Sequence, residues 1–208
     1  ACTADGKPIA EAHLAQMRLF NELESLNLSR TQITDAGLAH LSDLQQLESL
    51  ELRYTSVSSA GLIHLAKLPN LKRLNLQGTE VDDGGVGQLA RMTQLQLLSI
   101  EKTGISDDGG HELGALVNLE SLYLGESAVR GDILEHLAQL PKLKYLSLRK
   151  LKVEDKSLAA LAVCTQLESL GLDETPVTDD GLSHVANLPN LRVLWLTDTP
   201  ITDAGVEQ

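Results

Sequence analysis

The sequence predicts an α/β solenoid, with a parallel sheet along its concave face and helices along its convex face. Three observations carry the prediction. From Leu23 to Asn190 the chain repeats every 24 residues, seven units without insertion or deletion, and an eighth runs from Leu191 to Gln208. Counted from the first Leu of each unit, positions 1, 4, 6, 11, 16, 19 and 22 are almost always aliphatic. Aromatic residues make up 2% of the chain against 42% hydrophobic, so the core is aliphatic and regularly arranged. A fixed period of this length marks stacked units, none of which can bury its apolar face alone.

Within a unit the elements follow in order. Leu-x-x-Leu-x-Leu puts positions 4 and 6 on one side of a short strand and sends positions 3, 5 and 7 to the other. Position 4 is Leu in every unit, from Leu26 to Leu194, and position 11 is β-branched in every unit, from Ile33 to Ile201. Beyond position 11 the spacing becomes three, as in Leu38, Leu41 and Leu44, which marks one stripe of a helix. Thr34, Ser58, Asp82, Ser106, Thr178 and Thr202 stand at the N-cap, with Asp often next in the first turn. Pro69, Pro141 and Pro189 follow the last apolar helix residue and stop the helix. Strands lie about 4.8 Å apart and packed helices roughly 8–10 Å, so the array curves with its strands inside.

Residues 1–22 read as an N-terminal half-repeat or cap, and residues 23–208 as the array. Ile9, Leu14, Met17 and Phe20 fall in register with Ile33, Leu38, Leu41 and Leu44, which places Phe20 in the core. Unit eight stops after its strand and turn, without its helix. That points to a fragment of a longer array, or to self-association through the Leu191–Gln208 edge.

The pattern resembles the leucine-rich repeat family over residues 23–208, and the resemblance implies a right-handed horseshoe. Many members carry an Asn ladder after the strand. Here that position holds Thr31, Thr55, Thr79, Thr103, Ser127, Thr175 and Thr199, with Leu151 the exception. The ITDAGL segment starting at Ile33 is similar to the cysteine-containing class and to long bacterial arrays. The resemblance is specific for fold and nearly silent on ligand.

Function is read where the repeat does not dictate the residue. All three Tyr and the single Trp, namely Tyr54, Tyr123, Tyr145 and Trp195, fall at positions 3, 5, 7 or 8, on or beside the concave face. Aromatics there give large contact area at low entropic cost, although they also simply suit strands. The same positions carry Arg30, Arg53, Arg73, Lys102, Arg149 and Lys150 against Glu51, Glu101, Glu126, Asp173, Glu174 and Asp198. This face is locally neutral in a chain of net charge −12. Units five (Leu119–Lys142) and six (Leu143–Gln166) depart furthest from the consensus and hold Tyr123, Tyr145, Arg149 and Lys150. The binding patch is placed there, extended by Glu101, Lys102 and Trp195, with Arg53, Tyr54 and Arg73 beyond.

Positions 12 to 14 carry eleven acids against Arg130 and Lys156, a stripe that complements the helix dipoles. The acidic balance argues against nucleic acid and against anionic membrane surfaces, both of which draw on clustered Lys and Arg. No apolar run approaches the roughly 18–20 residues of a membrane span. His40, His64, His136 and His184 recur at position 18 as inherited composition, and His111 and His13 sit near the helix starts. No H-E-x-x-H, G-x-S-x-G or P-loop motif occurs, so neither catalysis, cofactor nor metal is expected.

Cys164 replaces an aliphatic residue at position 22 and reads as a buried, inert thiol. The Ala1-Cys2 start either resembles the cleavage point of a bacterial lipoprotein or is a segment boundary. The resulting expectation is a non-enzymatic module that binds a protein or peptide on its concave face. The alternative is a structural or spacer array, or the targeting domain of a larger protein.

Overall fold

The computed structural model describes residues 11–207; Cys2 and Ile9 lie outside the described residues. Eight three-residue strands recur at the repeat spacing: β1 Ser25–Asn27, β2 Ser49–Glu51, β3 Arg73–Asn75, β4 Leu97–Ser99, β5 Ser121–Tyr123, β6 Tyr145–Ser147, β7 Ser169–Gly171 and β8 Val193–Trp195. They pair in parallel, in chain order, into one open sheet of a right-handed solenoid. The register advances by one unit per strand, so Leu26 lies beside Leu50, Leu50 beside Leu74, and Leu170 beside Leu194. Positions 4, 6 and 11 are buried from unit one to unit seven. The core is one continuous aliphatic column.

The three-residue spacing after position 11 begins in a short α-helix, as at Leu62 and Leu65 or Leu182 and Val185, and leaves it through 3₁₀-type turns. Leu41 N–H donates to Leu38 O, Leu44 to Leu41 O and Leu47 to Leu44 O, each at 3.0 Å. The same relay recurs from Leu89 through Met92 to Leu95, and from Leu161 through Cys164 to Leu167. Three residues per turn is the 3₁₀ period, which keeps every third side chain on the core without rotation. The α-helical pieces are accordingly short, five residues at Asp35–Ala39 and seven at Asp179–Val185. Unit eight also starts a helical turn, Asp203–Val206, which the sequence reading omitted.

Two hydrogen-bond ladders tie the units together, and both were missed in the sequence. At position 13, Asp35 accepts from the Ser58 N–H and hydroxyl at 2.8 and 2.6 Å. Asp83 does the same for Ser106, Asp155 for Thr178 and Asp179 for Thr202. Asp107 accepts from the backbone N–H groups of Arg130, Gly131 and Ile133. Much of the acidic stripe is therefore an inter-unit ladder as well as a complement to helix dipoles. At position 24, Asn70, Asn118 and Asn190 donate to the carbonyls of Gln45, Thr93 and Thr165 in the preceding units. The threonines at position 9 make no ladder. Thr31, Thr55, Thr79, Thr103, Thr175 and Thr199 each donate back to the carbonyl three residues earlier, closing the turn of their own unit.

The irregular units five and six also have a steric reason. Elsewhere a glycine at position 15 makes room for the preceding acid: a Cβ on Gly181 would overlap the Asp155 carboxylate. At the junction of units five and six the small residue changes sides. Gly131 stands at position 13, and a Cβ there would meet Ser157 Oγ at 2.7 Å. The pair is a compensated exchange of large for small.

Phe20 is a correction. It is 58% exposed and its neighbour Leu19 75%. Leu14 is fully buried, but no described element lies outside Phe20 to cover it. At the other end Leu191, Leu194, Leu196 and Ile201 are only partly buried, and Val206 is exposed. Cys164 is buried as expected, with burial pushing its thiol up to about 11, which keeps it protonated and inert.

Candidate functional site

The strand exits set the rim of the concave face. Position 8 takes a positive φ in all eight units, at Arg30, Tyr54, Gly78, Lys102, Glu126, Lys150, Glu174 and Asp198. Six of these residues lie in a turn closed by a backbone bond, as where Thr31 N–H donates to Leu28 O, and positive φ at the third residue is the mark of a type II turn. The rim is thus a fixed row of side chains, one per unit. Gly78 has a second reason to be glycine, because a Cβ there would meet the Tyr54 ring at 2.5 Å. Tyr54 lies across it, with the Arg30 guanidinium 5.3 Å and the Lys102 ammonium 5.7 Å from its ring centre.

Inside the rim, Glu101, Tyr123 and Tyr145 occupy positions 7, 5 and 3 of three successive units, a diagonal row on the sheet. The two tyrosine rings lie 4.7 Å apart at 35°. Trp195 meets Tyr145 edge-on at 5.7 Å. In the register it stands beside Gly171, whose missing side chain opens the lane between the two rings. Burial raises the pKa of both phenols, Glu101 adds to the effect, and Asp173 adds to it at Tyr145. Both therefore stay protonated and able to donate. The three rings form a chain of contacts through Tyr145, with the two tyrosines half-buried and Trp195 exposed.

The charged residues fall into separate groups. Arg149 bridges Glu126 at 3.2 Å and Glu174 at 2.6 Å, and Lys150 lies 3.4 Å from Glu174 and 3.9 Å from Glu126. These two cations, expected to face a partner, are largely satisfied within the chain by glutamates the sequence reading counted but did not assign to the site. Arg53 lies 3.9 Å from Glu51. Arg73 stands near the Lys72–Glu48 pair, away from the aromatic row. Glu101 is half-buried and has no hydrogen-bond or ion-pair partner among the described residues. Its carboxyl is raised above the ordinary value by burial, against the pull of Arg149 and Arg53.

The structure thus brings Glu101, Tyr123, Tyr145 and Trp195 together and leaves Tyr54 with Lys102 on the rim. Asp173 joins the patch; its position on the concave face was visible, but its proximity to Tyr145 depends on which units face each other. His111 has partners, since its Nδ1 lies 2.7 Å from Asp108 O and its ring 6.0 Å from that of His136. No three of His, Cys, Asp and Glu converge on a metal-sized site among the described residues. No described helix is long and apolar enough to cross a membrane.

Comparison with known proteins agrees with this geometry. Residues 21–81 match the family described as Leucine rich repeat, and residues 187–208 match a second one so described. An internalin C2 from Listeria monocytogenes has the same fold, with a TM-score of 0.71 and 27% identity over 97% of this chain and 80% of that one. The fold is that of a leucine-rich repeat solenoid. A second Listeria monocytogenes internalin (inlF) shares the fold at a TM-score of 0.59 and 20% identity, over 91% of this chain. The chain spans 65% of that structure, under two thirds of its length. No curated protein matches. Leucine-rich repeat domains are typical protein-interaction modules, and the repeats here present their variable side chains on the face described above.

Proposed function

We propose that this leucine-rich repeat array is a non-enzymatic module that binds a protein or peptide partner across its concave sheet, with Tyr123, Tyr145 and Trp195 as the anchors. The observation that carries the reading is the contact between the three rings. A strand preference alone would scatter aromatics over the sheet. Here residues from units five, six and eight meet over a lane opened by Gly171. Hot spots of interfaces are clustered aromatics of this kind, held rigid before the partner arrives. Tyr54 with Lys102 would sit at the edge of the contact, where charged groups contribute steering more than affinity.

A photo-crosslinking amino acid placed at Asn75 or Ser121 on the concave strands, or at Glu135 on the convex side, tests this in extracts of the source cell. A discrete adduct from the concave positions and none from Glu135 is the expected result. Adducts of equal yield from both faces would remove the assignment.

A further inference from the structure

Beside the aromatic row the concave face holds a hollow of about 230 Å³ between units two and five. Tyr123 forms one wall, Glu101 and Glu51 stand on its rim with Arg53, and Ser99 and Asn75 form its floor. Ser99 closes the floor, being only 3% exposed, and the group left expensive is Glu101. Glu101 holds a half-buried carboxylate with no donor among the described residues, and the nearby Arg149 is committed to Glu126 and Glu174. Buried polar groups left unsatisfied cost free energy that a matching ligand recovers.

The shape and charge of the hollow narrow what that ligand is. Its volume lies below the roughly 300 Å³ at which small-molecule pockets begin, and suits one side chain. Two carboxylates against one guanidinium leave the rim net negative, and Arg53 already lies 3.9 Å from Glu51. An aromatic wall next to an unpaired carboxylate favours a cation that can lie on the ring and hydrogen-bond the acid at once.

We propose that the hollow receives a lysine or arginine side chain of the partner, lying along Tyr123 with its cationic end on Glu101. This rests on the concave face being the binding face, and it adds the class of residue the partner presents. The aromatic row then takes the apolar part of the same segment, about one sheet position away. The arriving cation offsets the desolvation that raises the Glu101 carboxyl above its ordinary value.

The test is an NMR titration of the isotope-labelled chain at about 0.15 M salt, where nonspecific attraction to its negative surface is screened. The probes are the capped tripeptides Gly-Arg-Gly and Gly-Lys-Gly, with Gly-Glu-Gly and the disaccharide cellobiose for comparison. Saturable shifts of the Ser99, Glu101 and Tyr123 amides with the two cationic peptides are expected. Glu101→Gln weakens them about tenfold or more, the effect of losing one charge-assisted contact. Glu135→Gln, of equal net charge but on the convex side, leaves them unchanged. Equal binding by Glu101→Gln and wild type overturns the proposal, as do matching shifts from the glutamate peptide or the disaccharide. Concave crosslinks without peptide shifts would leave the interface standing and remove the cationic anchor, whereas peptide shifts without concave crosslinks would remove the interface.

Discussion

Replacing Tyr123 and Tyr145 together by alanine is expected to weaken partner binding at least about 30-fold, equivalent to ~2 kcal/mol, while the chain stays folded. The rings lie on the solvent side of β5 and β6, and the leucines that hold those strands, Leu122 and Leu146, face the opposite way and are fully buried. Removing the rings therefore strips the contact surface and leaves the core column untouched. The loss has two parts: the apolar area of the rings, and the preorganisation that comes from their 4.7 Å contact and from Trp195. The double phenylalanine variant keeps the rings and loses only the hydroxyls, so it should retain most of the affinity. A surface-immobilised binding assay with the crosslinked partner reads both variants. A spacer array without a dedicated ligand would be indifferent to either.

Gly181→Val should destabilise the fold by about 3 kcal/mol and lower the melting temperature by roughly 6–12 °C. The new side chain would occupy the space of the Asp155 carboxylate and press on Val177, whose Cγ1 lies 2.8 Å from the Cβ position. Asp155 would then release the N–H and hydroxyl of Thr178, bonds of 2.8 and 2.6 Å to a charged acceptor. Because the packed core of each unit rests on its immediate neighbours, the damage falls on the junction of units six and seven. The double variant Asp155→Gly, Gly181→Ser copies the Gly131–Ser157 arrangement. It should recover the steric part of the loss but not the hydrogen bonds. A thermal melt followed by circular dichroism separates the three; a melt of Gly181→Val within about 0.5 kcal/mol of wild type would contradict the ladder.

The aliphatic register made the fold legible, because a residue at position 4 or 11 has one environment whatever the unit, and Leu98 or Val153 could stand for all. The concave location of the four Tyr and Trp residues was legible for the same reason. Their mutual contacts were not. They depend on diagonal neighbours one or two units apart, such as Tyr145 and Trp195, and on Gly171 being empty, which a one-unit pattern does not express. The acids at position 13 were visible, yet helix dipoles explain Asp35 and Asp155 as well as a ladder does until Ser58 and Thr178 are seen next to them. The spacing of three at Leu38, Leu41 and Leu44 was read as helical, which it is, but the pattern does not tell the α-helical turn at Leu38 from the 3₁₀ turns that follow it. Phe20 was placed by register alone, and register does not supply the neighbouring layer that burial requires.

The concave interface is tested most directly by hydroxyl-radical footprinting of the chain with and without its partner, since oxidation reads exposed aromatic side chains one by one. Free, Tyr54 and Trp195 at 39% and 38% exposure and Phe20 at 58% should all be oxidised. Bound, Tyr123, Tyr145 and Trp195 should be protected while Phe20 and the convex His136 react as before. Protection of Phe20 or His136 with unchanged oxidation of the three concave aromatics would show that the partner binds elsewhere.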